Sequence, residues 1–431
     1  MNIAPRLQRL LHQTRHALRA PSRNARTAVV IGRLLGAAFL ICFATGLYSH
    51  FLQDPLPWMV FPTRPLWLYQ VTQGLHITAG IACLPLLLAK LYAVFPQLFQ
   101  SPPVRTVAHL LERASIALFV AASLVQVAIG LLNTYQLYAL FGFSFRTVHF
   151  ALSLVVIGSL AIHIGVKLPV IARNWSKRSA ADAERDAPTD PDAVLDVPDE
   201  LRRRTGERAD AGVTGRLFAW IDRAPAPEPP DPRARLSRRA FFATTATATG
   251  AVVLLTAGQS FRVLDPINVF APRKAGVGPQ GLPVNRTARA ADVVELATAE
   301  DWTLTVANGA TTRAFDYAAL TALPQHDVRL PIACVEGWSQ MANWSGPRLR
   351  DLMDEVGAPA SAAVRVVSLQ TNSRFGTSQM TREFVRDDLT LVALRLEGEV
   401  LDIDHGFPAR IIAPARPGVL QTKWLSRLEV M

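Results

Sequence analysis

The sequence predicts a multidomain chain: an all-α transmembrane bundle of four helices, a fifth helix acting as an anchor, and then an α+β domain. Three observations predict it. Long apolar segments of membrane-spanning length, about 20 residues or more each, recur four times in the first 171 positions. A weaker apolar run comes after an arginine pair in mid-chain. From about residue 285 the pattern shifts to short alternating runs divided by turns, the signature of strands. Half of the 431 residues are apolar, 18% are charged and mean hydropathy is +0.20, high for a soluble protein.

Residues 1–27 form a basic N-terminus expected on the cytoplasmic side. The four helices are predicted at 28–48, 72–95, 109–133 and 147–171, giving a membrane domain over 28–171. The net charge of +11 does not call for nucleic acid. The arginines gather at 6–33, 173–178 and 233–239, each group beside an apolar segment, as cytoplasmic flanks of membrane helices do. With the N-terminus inside, loop 49–71 is external and carries Trp58, Trp67 and Tyr69 as interfacial aromatics; loop 96–108 is internal and 134–146 external. Lys167 and Arg173 return the chain to the cytoplasm. Residues 172–236, rich in Asp, Arg, Pro and Ala, read as a disordered cytoplasmic linker with a short amphipathic piece at Val213 to Ile221. The three cysteines, Cys42, Cys83 and Cys334, make no disulfide framework, and the first two read as packing residues inside apolar runs.

The fifth helix opens on Leu236-Ser237-Arg238-Arg239-Ala240-Phe241-Phe242 and continues through the modestly apolar run Ala243 to Gly258. Positive-inside bias alone would place arginines there. The segment also resembles a twin-arginine export signal, an address read by a receptor. That resemblance implies the twin-arginine translocase as a partner, and a passenger that folds around its cofactor before crossing. Four crossings return the chain inside, so topology agrees. No Ala-x-Ala cleavage site comes after it, so 237–260 is expected to remain as a signal-anchor helix, with 261–284 as an extracytoplasmic linker. The expected location is the cytoplasmic membrane, multi-pass, with the C-terminal domain on the extracytoplasmic side.

His76, His109, His149 and His163 fall within or at the ends of the apolar helices, where ionisable residues are costly and read as functional. His149 and His163 lie fourteen residues apart on one helix. At about 100° and 1.5 Å per residue, that spacing returns to nearly the same face about 21 Å further along. His76 is then level with His149 near one membrane face, and His109 with His163 near the other. This arrangement resembles the four-helix diheme b-type cytochromes. It implies two b-type haems, each ligated by one pair, with no open iron position. Interhelical hydrogen bonding is the plain alternative for each histidine. Glu112 and Arg113 beside His109 suggest an interface location, and His50 is a spare candidate for the outer site.

The last 145 or so residues (285–431) show strands at Trp302 to Val306, Val364 to Leu369 and Leu391 to Leu396, and a helix at Pro347 to Glu355. Their one cysteine, Cys334, is a buried small hydrophobe, a reactive thiol or a metal ligand. It stands in Cys334-Val335-Glu336-Gly337-Trp338, and Asp404-His405-Gly406-Phe407-Pro408-Ala409-Arg410 and Lys423-Trp424-Leu425 come later in order. These segments resemble the molybdopterin-binding domain of the sulfite oxidase family. The resemblance implies that Cys334 is the thiolate on molybdenum and that His405 and Arg410 hold the phosphate end of the pterin. Gln421, Thr422 and Lys423 fit the later phosphate-contacting segment, and Asn285 with Arg286 the first pterin-contacting stretch. Trp338 and Trp344 read as core or cofactor-packing residues. Gln370-Thr371-Asn372-Ser373-Arg374 stands where many members carry an acidic residue, which puts that contact in doubt. The sequence stops at Met431, without the immunoglobulin-like dimerisation domain of sulfite oxidases, which puts family-based dimerisation and sulfite specificity in doubt.

Together these features imply a membrane-bound molybdopterin-dependent oxidoreductase. Electrons pass between a quinone or quinol, or another membrane donor, the b haems and Mo-molybdopterin at Cys334. A small-molecule S-oxide or N-oxide is the expected substrate. The reverse flow, oxidation of sulfite or a similar anion, is the rival enzyme reading. A non-catalytic haem-containing sensor or assembly protein is the alternative of another class.

Overall fold

The computed structural model of the chain describes residues 20–99, 106–137, 142–175 and 237–431, with Leu10, Leu11, Thr14, Leu18, Val104 and Leu140 as isolated positions. Most of the expected N-terminal segment 1–27, nearly all of the linker 172–236, and the amphipathic piece at Val213 to Ile221 lie outside the described residues. The chain divides into two compact units. One holds Met1–Leu40, Ala82–Ala128 and Ala151–Gly250, and the other Ile41–Ile81, Ile129–Phe150 and Ala251–Met431.

Five long helices are present: α1 (Ala25–Gln53), α2 (Leu68–Val94), α3 (Val107–Thr134), α4 (Phe145–Arg173) and α5 (Arg238–Leu254). Among the described residues these are the five segments long and apolar enough to cross a membrane, by length and composition. Leu34, Leu88, Leu118 and Ile162, one from each of the first four, are all more than half exposed. A helix apolar on all sides belongs in lipid or a large core. The first, third and fourth helices extend beyond both predicted bounds and α2 begins four residues early, because flanking polar residues such as Gln53 and Thr134 sustain a helix without adding to the apolar run. α5 fills only Arg238–Leu254 of the expected 237–260, and a 3-10 turn at Ala257–Gln259 comes after it.

In the first unit Ile31, Ala89 and Phe241 form a small core, with Phe241 stacked on Tyr92 at 5.2 Å between centroids. α5 therefore has a packing partner in α2. Ser237 caps α5 by accepting a hydrogen bond from the Ala240 N–H at 3.2 Å.

In the second unit the C-terminal segment folds around a mixed five-stranded sheet ordered β2-β1-β11-β5-β6. Its strands are β1 (Leu304–Asn308), β2 (Thr311–Phe315), β5 (Val364–Ser368), β6 (Thr377–Met380) and β11 (Leu425–Val430). The β1/β11 pairing is parallel and the others antiparallel. A four-stranded antiparallel sheet runs β3 (His326–Ala333), β4 (Ser339–Gly346), β8 (Arg395–Leu396) and β9 (Glu399–Val400). The third sheet pairs β7 (Leu391–Ala393) with β10 (Arg410–Ile412). The predicted helix appears as Leu349–Asp354, its Leu349, Leu352 and Met353 fully buried.

Two expectations change here. Tyr69, read as an interfacial aromatic in an external loop, lies in the first turn of α2, is 1% exposed, and joins the core that includes Leu304, Leu352 and Leu425. Its ring finds more apolar surface there than in a loop, and its hydroxyl meets Ser49 Oγ at 3.0 Å. Trp58 and Trp67 do remain exposed. Segment 261–284, expected as an extracytoplasmic linker, carries turns of its own, and Leu282 is buried in one core with Trp344 and Leu330.

Candidate functional site

The β3–β4 hairpin carries Cys334 on the residue after its first strand. The turn closes on itself: the Cys334 N–H donates to Trp338 O at 2.9 Å and the Gly337 N–H to Cys334 O at 3.0 Å. Gly337 has φ 103°, and a Cβ there would lie 2.8 Å from Ile77 Cγ1, so only glycine fits. A bridge between Ala333 and Pro417 brings a second loop alongside. Cys334 is 1% exposed. Burial, reinforced by the Glu336 carboxylate, holds its thiol well above the ordinary range. Glu336 is itself raised by burial, against opposing contacts from Gln136, Arg273 and Trp338. A bound metal would displace the proton of such a thiol.

The same domain holds a set of buried cations, of which Lys423 lies within electrostatic reach of Cys334. Arg410 at the start of β10 donates from Nη1 to His405 O (2.9 Å) and from Nη2 to Gln421 O (3.2 Å), and its Nε is buried without a partner. Its guanidinium sits 4.9 Å from the centre of the Trp344 ring. Lys423, just before β11, donates from Nζ to Arg286 O (2.6 Å) and Asp404 O (2.8 Å). Arg416 donates to Leu420 O and Gln379 O. The three end on neutral main-chain carbonyls, and burial alone pushes Arg410 and Arg416 down to about 9. Burial, with help from Arg410, brings Lys423 down to about 7. His405 is brought down to about 4, chiefly by burial, and donates from Nε2 to Pro279 O at 2.8 Å. Buried cations that hydrogen-bond only to neutral carbonyls are costly, and the Asp404 carboxylate offsets only part of that cost at Lys423. A multiply charged phosphate would offset that cost, so this donor set fits a phosphate-bearing pterin.

The other pterin candidates behave differently. Gln421 is committed inside the fold: its Oε1 accepts from the Ala413 N–H at 2.7 Å and its Nε2 donates to Ala413 O at 2.8 Å. Thr422 Oγ1 meets Ser378 Oγ at 2.9 Å. Asn285 Oδ1 accepts from the N–H of Arg286. Of the residues singled out in the sequence, His405, Arg410 and Lys423 come together as a buried cationic cluster and Lys423 lies within electrostatic reach of Cys334, while Gln421 and Thr422 are bonded inside the fold. Arg416 escaped notice in the sequence although it lies between two quoted segments. Gln136 and Arg273 escaped because they come from distant stretches.

Among the helices, His76 and His149 come together with ring centroids 6.2 Å apart and planes at 68°. Two imidazoles on opposite sides of one metal stand about 6 Å apart when each metal–nitrogen bond is about 2 Å. His76 Nδ1 donates to Cys42 O at 2.9 Å, which fixes its tautomer and leaves Nε2 as an acceptor. Glycines make room beside both rings: a Cβ at Gly46 would lie 2.9 Å from His76 Cε1, and one at Gly130 3.5 Å from His149 Cε1. These features fit a haem. His50, the spare candidate, is stacked on Phe150 at 3.7 Å instead. In the first unit His109 and His163 both lie within electrostatic reach of Glu112, which pairs with Lys167 at 2.5 Å. His163 stacks near Phe119, and its Nδ1 is buried without a hydrogen-bond partner.

Residues 290–431 match the family model of the oxidoreductase molybdopterin binding domain. Mitochondrial sulfite oxidase of Drosophila melanogaster is 31% identical over 157 residues, 30% of this chain and 27% of that protein. The uncharacterized oxidoreductase YuiH of Bacillus subtilis is 30% identical over 109 residues, 25% of this chain and 54% of that one. A candidate protein-methionine-sulfoxide reductase subunit, YedZ1 of Azospira oryzae, is 31% identical over 111 residues, 26% of this chain and 41% of that one. The chain thus spans between about a quarter and about half the length of these relatives. Among solved structures, the sulfane dehydrogenase SoxCD of Paracoccus pantotrophus aligns with a TM-score of 0.28 and 23% identity, over 30% of this chain and 38% of that one. The C-terminal part of this chain, residues 290–431, thus matches an oxidoreductase molybdopterin binding domain and is similar in sequence to sulfite oxidases.

Proposed function

We propose that the chain is a membrane-bound molybdopterin-dependent oxidoreductase that reduces an S-oxide or N-oxide with electrons from a membrane quinol. The observation that carries the reading is the buried Cys334 thiol in the same domain as buried cations whose hydrogen bonds end on main-chain carbonyls. Cys334 would bind molybdenum as a thiolate, a soft ligand suited to that metal. Arg410, Lys423 and His405 would hold the phosphate end of the pterin, with Arg416 adding positive charge. Bound there, the cofactor supplies oxygen-atom exchange with the substrate. Reducing an S-oxide consumes two electrons and two protons and releases water. His76 with His149, and His109 with His163, would hold two b-type haems along the electron path. The domain boundaries are those read from the sequence: four membrane helices, a cytoplasmic linker, a twin-arginine signal-anchor helix, and an extracytoplasmic molybdopterin domain. Similarity to a candidate methionine-sulfoxide reductase subunit favours S-oxide reduction.

The second reading reverses the flow, with sulfite or a similar anion oxidised and electrons delivered to quinone. Similarity to mitochondrial sulfite oxidases favours it.

Purified protein from cells able to make the cofactor is expected to contain molybdenum, and Cys334→Ser to lose both metal and turnover. Retained activity in Cys334→Ser would show the site misassigned. Dithionite-reduced protein should show a b-type α-band, and an added S-oxide should bleach it under anaerobic conditions. Bleaching by none of the candidate oxides, with reduction of the haems by sulfite, would select the second reading.

A further inference from the structure

We propose that Gln136, just beyond the C-terminal end of α3, is a positioning residue for Cys334 and acts through Glu336. The inference rests on the reading of Cys334 as the molybdenum ligand. The matched family domain begins at residue 290, so nothing in it supplies Gln136.

The amide of Gln136 uses both of its ends. Nε2 donates to Glu336 Oε1 at 2.5 Å and to Asn285 O at 3.0 Å, while Oε1 accepts from Arg273 Nη2 at 2.6 Å. The reverse amide orientation would set oxygen against oxygen and nitrogen against guanidinium, so the network fixes the orientation. Gln136 reaches this position with φ 57°, a left-handed conformation uncommon outside glycine. Strain of this kind persists only where the surroundings over-determine it. Glu336 passes the constraint on: Oε2 accepts from Trp338 Nε1 at 3.3 Å, and its carboxyl lies within electrostatic reach of the Cys334 thiol two residues away. Helical residues and the 261–284 segment with its preceding turn hold the rest of the same loop. Gln73 Nε2 donates to Val335 O at 2.9 Å, Ser260 Oγ donates to Gly337 O, and Ile77 and Gln259 close over Gly337. The loop bearing the reactive sulfur is therefore clamped by residues from outside its own domain. A metal-binding thiolate needs such outer support to keep its geometry. A domain that folds before export would complete this site only once it docks on the ends of the helices.

The test uses the solubilised full chain. Gln136→Glu keeps the side chain's size and shape but replaces both donors with an acceptor facing Glu336 and Asn285 O. The expected result is an altered molybdenum(V) electron paramagnetic resonance signal. With it, kcat should fall about tenfold or more while KM stays within about twofold. Molybdenum content and the reduced haem spectrum should be unchanged. Adding Glu336→Gln restores a donor–acceptor pair at the contact and should recover much of the signal and of kcat. A wild-type signal and kcat in Gln136→Glu would overturn the proposal. So would a loss that Glu336→Gln does not relieve, since a contact needed only for folding or metal retention gives that result. Wild-type protein without molybdenum would fail the functional reading itself, before any variant is compared.

Discussion

Lys423 carries the sharpest charge problem in the C-terminal domain. Its ammonium is buried on two carbonyl oxygens, and burial lowers its pKa to about 7, against about 10.4 in an unfolded chain. Below about pH 7 both states are protonated, and the folded state bears the full cost of the buried charge. Between about pH 7 and 10 the unfolded chain binds more protons than the folded one, so stability rises with pH. Cofactor-free protein should therefore show a melting temperature for this domain that climbs between about pH 7 and 9. In Lys423→Met that slope should flatten, as it should when a phosphate-bearing ligand fills the pocket. Equal slopes in wild type and Lys423→Met would show that the lysine keeps its charge by some other means. If His76 and His149 hold a haem as proposed, His76→Leu should remove one ligand of one site only. Haem content per chain is expected to fall by about half, and a full complement in that variant would exclude His76 as a ligand.

Helices were the most legible elements, because an apolar run of membrane length has few rival explanations. Their ends were less so: Gln53 and Thr134 prolong α1 and α3 without an apolar signature. The strand positions in β1, β5 and β7 came from alternation, and Cys334, His405 and Arg410 from the motifs that hold them. Gln421 and Thr422 could be found by the same motifs, but their internal hydrogen bonds could not. Gln136 lies 200 positions from its carboxylate partner, and no local pattern encodes a contact of that range. Glycines inside helices are a further case, since in sequence they look merely unfavourable. Gly46 on α1 has a reason: a side chain there would press on the His76 ring, whose ring carbon is 2.9 Å from the position of a Cβ. Gly46→Leu should still yield an inserted helix while disturbing that haem. The check is the reduced α-band and the redox titration, where one of two components should be lost or displaced. An unchanged two-component titration would mean that the glycine serves helix packing alone.

Across the whole molecule the arrangement depends on how the last domain reaches its side of the membrane. Ser237 caps α5, so Arg238 and Arg239 occupy its first turn, where the helix dipole disfavours positive charge. Nothing in local helix energetics asks for arginine there. The Arg238 guanidinium stands over the Phe242 ring at 5.6 Å, a contact too weak to account for the pair. Two demands from outside the helix remain. Positive-inside bias requires charge but is indifferent to its chemistry, whereas an export receptor reads the guanidinium pair itself. Changing both residues to lysine separates the two, because charge is kept and the fork-shaped donors are lost. If the twin-arginine reading holds, the double variant leaves the haem bundle inserted and strands the molybdopterin domain in the cytoplasm. Protease added to intact spheroplasts should then spare that domain, although it cleaves it in the wild type. If only the charge matters, the domain stays outside and is digested equally in both, and α5 is an ordinary membrane helix rather than an export signal.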